Sequence, residues 1–92
     1  MAALPALTSG KPLDELTALS KVVYKTLYDE NGTDSNEVYH QTDIFEYDVV
    51  PERNLFVLLD VTNILVHERL FKSVTSQGEL GWMLRSEAEA KQ

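Results

Sequence analysis

His40 and His67 are the two histidines of a 92-residue chain that contains no cysteine. A transition-metal centre would draw on such side chains, with Asp or Glu, at spacings that bring three or four donors to one point. Asp43 lies near His40 and Glu68 follows His67, but no His-x3-His pair or third ligand accompanies either. Both read as surface or helix-end histidines. Without cysteine there is no thiolate ligand, disulfide or thiol nucleophile. Catalysis through Ser or Thr would need an adjacent base and an oxyanion donor, and no G-x-S-x-G elbow occurs. Gly10, Gly32, Gly78 and Gly81 form no phosphate-cradling loop. Asp14 beside Glu15 suits the start of a helix better than a general acid–base pair. These residues point away from an enzyme, a cofactor, a metal and a small-molecule substrate.

What remains is recognition. Eight basic residues against fifteen acidic ones give a net charge of −7. A chain that grips phosphates needs clustered Lys and Arg, so autonomous DNA binding is disfavoured by charge. The acidic surface suits solvent or a basic partner. With 43% hydrophobic and 25% charged residues, the composition is that of one small globular domain with a single core. Apolar runs are too short for a membrane span. Met1–Leu7 lacks the basic start and the length of a signal peptide, so an intracellular protein is expected.

The elements follow from periodicity. Residues 1–11 read as a flexible lead-in. Leu13, Leu16, Leu19, Val23 and Leu27 line one face of a first helix, Pro12 to Tyr28, ended by Asn31 or Gly32. Asp34 with Glu37 three residues on forms a capping box that would open a short second helix through Val38, Tyr39 and Gln41. The chain then breaks near Thr42 and Asp43, and Ile44–Val50 reads as a packed connector. Pro51 opens the third helix, with Leu55, Leu58, Leu59, Thr62, Leu65 and Val66 as its inward stripe. From Leu70 the period becomes two, and two strands flank a four-residue turn, Ser76–Glu79. A hairpin alone is barely stable, so Leu70, Trp82 or Leu84 must rest on the helices. Ser86–Glu89 repeats the capping-box spacing, so residues 86–92 would start a linker helix. The expected fold is α+β: a winged helix over residues 12–85, with three helices followed by a two-stranded hairpin wing.

In that layout the third helix is the recognition element. With the leucine stripe inward, Arg53, Val57, Asp60, Val61 and Ile64 would face outward as a partner-binding strip. This strip is poor in the Arg, Lys, Asn and Gln that read bases, and Asp60 would repel phosphates. The other reading packs these aliphatics under the hairpin or the N-terminal segment. Arg69, Lys72 and Arg85 could form a small positive patch for phosphate contact.

Leu65-Val66-His67-Glu68-Arg69-Leu70-Phe71-Lys72-Ser73-Val74, then Gly78-Glu79-Leu80-Gly81-Trp82-Met83-Leu84 and Ser86-Glu87-Ala88-Glu89-Ala90-Lys91, carry a resemblance. This C-terminal half resembles the first winged helix of the TFIIE-related subunit of RNA polymerase III. The resemblance implies a nuclear, non-catalytic part of that polymerase, with tandem winged helices, in a peripheral heterotrimer. Its partners would be other polymerase III subunits and the initiation factor TFIIIB, with at most a weak contact to promoter DNA and none to membrane. Its roles would be recruitment and promoter opening. The alternatives are a sequence-specific winged-helix regulator and a scaffold winged helix of another large complex.

Overall fold

Leu16, Ser20, Val23, Tyr24 and Leu27 are the buried positions of helix α1 (Leu13–Asn31), at the spacing one helix face requires. The computed structural model describes residues 6–31 and 37–91. The helix runs one turn past the expected Tyr28. Asn31 secures that extra turn by donating to the Leu27 carbonyl at 3.3 Å and to the Tyr47 hydroxyl at 3.1 Å. Buried Ser20 is satisfied by donating to the Thr17 carbonyl.

Strand β1 (Tyr39–His40) follows and leads directly into α2 (Gln41–Glu46). The expected capping residue Asp34 lies outside the described residues. Tyr39 is a strand residue, not a helical one, and Thr42 and Asp43 lie within the helix where a break was expected. The cap falls later than the sequence suggested: the Asp43 carboxylate accepts from the His40 amide at 2.9 Å, satisfying a helix-start donor. Two residues of strand are too few to show a period, and this is why β1 escaped the pattern reading.

A 3-10 turn (Pro51–Arg53) separates Val50 from helix α3 (Leu55–His67). Pro51 therefore does not open α3. Glu52 and Arg53 both sit at positive φ, which no regular helix continues. Asn54 caps α3, its side-chain oxygen accepting from the amides of Phe56 at 3.0 Å and Val57 at 3.2 Å. At the far end the Leu70 amide reaches the Leu65 carbonyl and the Arg69 amide reaches that of Val66. This is a Schellman closure with Arg69 at φ 63°. The closure turns the chain at once into β2 (Phe71–Ser76).

Strand β3 (Glu79–Leu84) returns antiparallel to β2, with Phe71 opposite Leu84 and Ser76 opposite Glu79. The turn is thus two residues, Gln77 and Gly78, both at positive φ, not the four expected. That is the turn whose twist matches a tight hairpin. On its other side β3 pairs with β1, Tyr39 opposite Trp82 and His40 opposite Gly81. Among the described residues the sheet has three strands, in the order β1-β3-β2, where two were expected. A short α4 (Glu87–Ala90) follows, capped reciprocally by Ser86 and Glu89 as the sequence spacing anticipated.

The protein is therefore α+β, with four α-helices and one antiparallel sheet among the described residues. Helices α1 and α3 pack on each other, β2 lies against α3, and β3 against α1. Phe71 and Trp82 bring the hairpin into the core formed by Leu16, Leu27, Leu58 and Leu65, while Leu70 and Leu84 cover its edge. The Tyr24 hydroxyl donates to the Arg85 carbonyl at 2.6 Å and ties α1 to the end of β3. Among the described residues no helix is long and apolar enough to cross a membrane.

Gly81 holds the third strand in place. A β-carbon there would lie 2.6 Å from Val38 Cγ1 and 3.1 Å from His40 Nδ1. Both neighbours are constrained, Val38 by its branching and His40 by an Nδ1 contact of 3.1 Å to the Leu80 carbonyl. Gly81→Ala is expected to cost about 1–3 kcal/mol by overpacking, read as a lower urea midpoint at unchanged m.

Candidate interaction surface

Cap and core together set the rotation of α3. Its buried positions are Val57, Leu58, Asp60, Val61, Thr62, Ile64 and Leu65. Of the five residues expected on a partner-binding strip, Val57, Asp60, Val61 and Ile64 are therefore inside, and only Arg53 is exposed. The expected inward stripe moves correspondingly: Leu58, Thr62 and Leu65 stay buried, whereas Leu55 faces solvent and Leu59 and Val66 are half-buried. The helix is apolar on nearly every side, so periodicity alone could not choose between the two rotations.

Asp60 explains the choice. It is fully buried, at 0% exposure, in a helix face otherwise made of aliphatics. Its carboxylate accepts from the Thr8 amide at 2.8 Å, the Ser9 amide at 2.7 Å and the Thr8 hydroxyl at 3.1 Å. A buried carboxylate is tolerable only with such donors. The segment before α1, expected to be a loose lead-in, is thus held across α3 at Thr8 and Ser9, and Leu7 packs against the core. Burial alone would raise this carboxyl's pKa, but the hydrogen bonds from Ser9 and Thr8 outweigh it and hold Asp60 below the usual carboxylate range.

The outward face of α3 is consequently Leu55, Phe56, Leu59 and Asn63, with Arg53 on the turn before it. Phe56 is 59% exposed and Leu55 40%. Leu59 lies one helical turn from both, so the three apolar side chains share a patch. Asn54, a favoured cap residue, signals in the sequence that the first turn of α3 is Leu55–Val57, but it does not signal which side of the helix faces the core.

Arg69, Lys72 and Arg85 come from the base of the hairpin. The Arg85 amide donates to the Leu70 carbonyl, which sets Arg85 across the ladder from the residue between Arg69 and Phe71. Arg69 and Lys72 are exposed, whereas Arg85 is half-buried, its Nε 4.0 Å from the Glu89 carboxylate. That carboxylate offsets the positive charge the three would share. No group of three or more His, Cys, Asp or Glu side chains among the described residues could hold a metal ion. Comparison with protein-family models, with characterised proteins and with solved structures finds no match.

Because the folded pKa of Asp60 is depressed, its contribution is complete above its unfolded value of about 3.9 and is lost as pH falls through the folded value. Chemical denaturation across pH 2–7 should therefore show an acid limb that Asp60→Asn flattens. At pH 7, Asp60→Ala should cost about 1–3 kcal/mol and speed amide exchange at Thr8 and Ser9. A charge reversal, Asp60→Lys, would damage the fold before it tested any partner.

Proposed function

We propose that the chain is a winged-helix protein-interaction domain of the type that opens the TFIIE-related subunit of RNA polymerase III. It would act in the nucleus, without catalysis, in recruitment to TFIIIB and promoter opening. The element order agrees with that layout: three helices precede a hairpin, with a short strand between the first two that completes the sheet. The resemblance of residues 65–91 to that family is the ground for proposing this complex.

One observation carries the mode of action: the recognition helix offers exposed Leu55 and Phe56, with half-buried Leu59 beside them, where a DNA reader would offer cations and amides. A large aromatic anchor beside aliphatics on a rigid helix is the chemistry of a protein–protein hot spot. Arg53 beside the patch suits the polar rim of such a contact. The net charge of −7 opposes a duplex, so Arg69 and Lys72 would make at most an incidental phosphate contact.

Phe56→Glu tests this directly, because the residue is exposed and the fold does not depend on it. The variant should melt within a few degrees of the parent yet bind purified polymerase III subunits and TFIIIB at least tenfold more weakly. Unchanged binding would remove the proposed surface. Tight duplex binding, below about micromolar at physiological salt with a steep salt slope, would favour a DNA-binding regulator instead.

A further inference from the structure

The outer edge of the sheet holds recognition chemistry that the fold itself does not use. In the order β1-β3-β2, strand β2 has a neighbour on one side only. The Arg85 amide bonds the Leu70 carbonyl, and residues of an antiparallel pair alternate between bonded and unbonded partners. Lys72, Val74 and Ser76 therefore turn their amides and carbonyls towards β3, the phase that a two-residue turn after Ser76 also requires. The amides and carbonyls of Ser73 and Thr75 point the other way. Both residues are exposed, and those backbone groups make no hydrogen bond among the described residues.

Proteins close such an edge with proline, a bulge, a covering element or a lysine. Strand β2 contains no proline, and its register runs unbroken from Phe71 opposite Leu84 to Ser76 opposite Glu79. Only the lysine is present, as exposed Lys72. Its charge is selective. In the fullest antiparallel pairing with a second copy, Ser73 opposite its counterpart, the two Lys72 side chains lie diagonally across from each other, and like charges oppose that contact. A carboxylate opposite Lys72 is favoured for the same reason. From Arg69 to Gly78 there are two basic residues and no acidic one, in a chain with fifteen acidic residues. The one carboxylate carried by the two strands, Glu79, sits opposite Ser76, about 13 Å along the strand from Lys72 and beyond the screening length at physiological salt.

We propose that β2 takes up an extended acidic segment of a partner protein as a further strand. The segment bonds Ser73 and Thr75 through its backbone and sets a Glu or Asp opposite Lys72, in an unbonded pair, where side chains approach most closely. Main-chain bonds supply the affinity and the alternate acidic positions supply the choice of partner. The inference concerns the hairpin and is independent of the role given to α3.

The test uses the full chain, isotope-labelled, and the blocked peptide Thr-Val-Glu-Val-Glu-Val-Thr, followed through the backbone amide signals and their exchange with solvent. The peptide should shift the Ser73 and Thr75 amides saturably and slow their exchange, while the Lys72 and Val74 amides, already bonded to β3, exchange as before. Methylation of the valine amides should abolish both effects. Gln in place of Glu should weaken binding about threefold, and Lys72→Glu about tenfold, with a Tm within a few degrees of the parent because the residue is exposed. Absence of saturation at millimolar peptide, indifference to methylation, or indifference to both charge changes would overturn the proposal. Slow exchange of the Ser73 and Thr75 amides in the free chain, growing with its concentration, would make a second copy the occupant and overturn it too. So would displacement of the peptide by an equimolar DNA duplex, which would assign Lys72 to phosphate.

Discussion

The Asp60 carboxylate, buried in the middle of α3, takes two backbone amides from Thr8 and Ser9, some fifty positions earlier in the chain. An ionised group in that position must keep its donors, because losing them would leave a buried charge uncompensated. Two consequences follow from the one contact. The N-terminal segment has to cross α3 before α1 begins, and α3 has to turn its Asp60 side inward. With that rotation Val57, Val61 and Ile64 enter the core, and Leu55 and Phe56 are left in solvent. The exposed patch is thus a result of satisfying a buried charge.

The joint between α3 and the sheet is the second constraint. Arg69 in the left-handed region closes the helix within one residue, so Leu70 and Phe71 start β2 against the helix that precedes them. The two-residue turn at Gln77–Gly78 fixes the register of β2 on β3, and on the other edge of β3 Trp82 and Gly81 lie opposite Tyr39 and His40. Gly81 then admits Val38 and His40 at a distance that no side chain would allow. The third strand therefore depends on a glycine in β3.

Much of this was legible in the residues. The spacing of Leu16, Val23 and Leu27 reveals α1, the change of period at Leu70 reveals the hairpin, and Ser86 with Glu89 reveals the cap of α4. The α+β class follows from those three signals. The rotation of α3 was not legible, because aliphatic residues occupy both faces and a stripe of leucines outweighs three β-branched neighbours in any pattern count. The partner that decides it, a pair of amides near residue 8, carries no side-chain signature. Strand β1 was hidden for another reason: two residues paired through the backbone leave no alternation. Among the charged candidate site residues Asp60 is buried by its hydrogen bonds from Thr8 and Ser9, against expectation, whereas Arg53, Arg69 and Lys72 were placed correctly on the surface. Val57, Val61 and Ile64 were not, since apolar character says only that a side chain seeks cover and not which side provides it.

The apolar patch on α3 depends on how that helix is set against α1 and the segment before it. The rotation of α3 is the central claim, and the absence of native cysteine makes it directly measurable. Single substitutions Phe56→Cys, Asn63→Cys, Val57→Cys and Val61→Cys would each be followed by the rate of thiol labelling under native conditions. The account predicts labelling of the first two at the rate of an unfolded peptide, and of the last two only as fast as the protein opens. Fast labelling at Val57 and Val61 with protection at Phe56 would contradict it, and would return α3 to the rotation its leucines suggest.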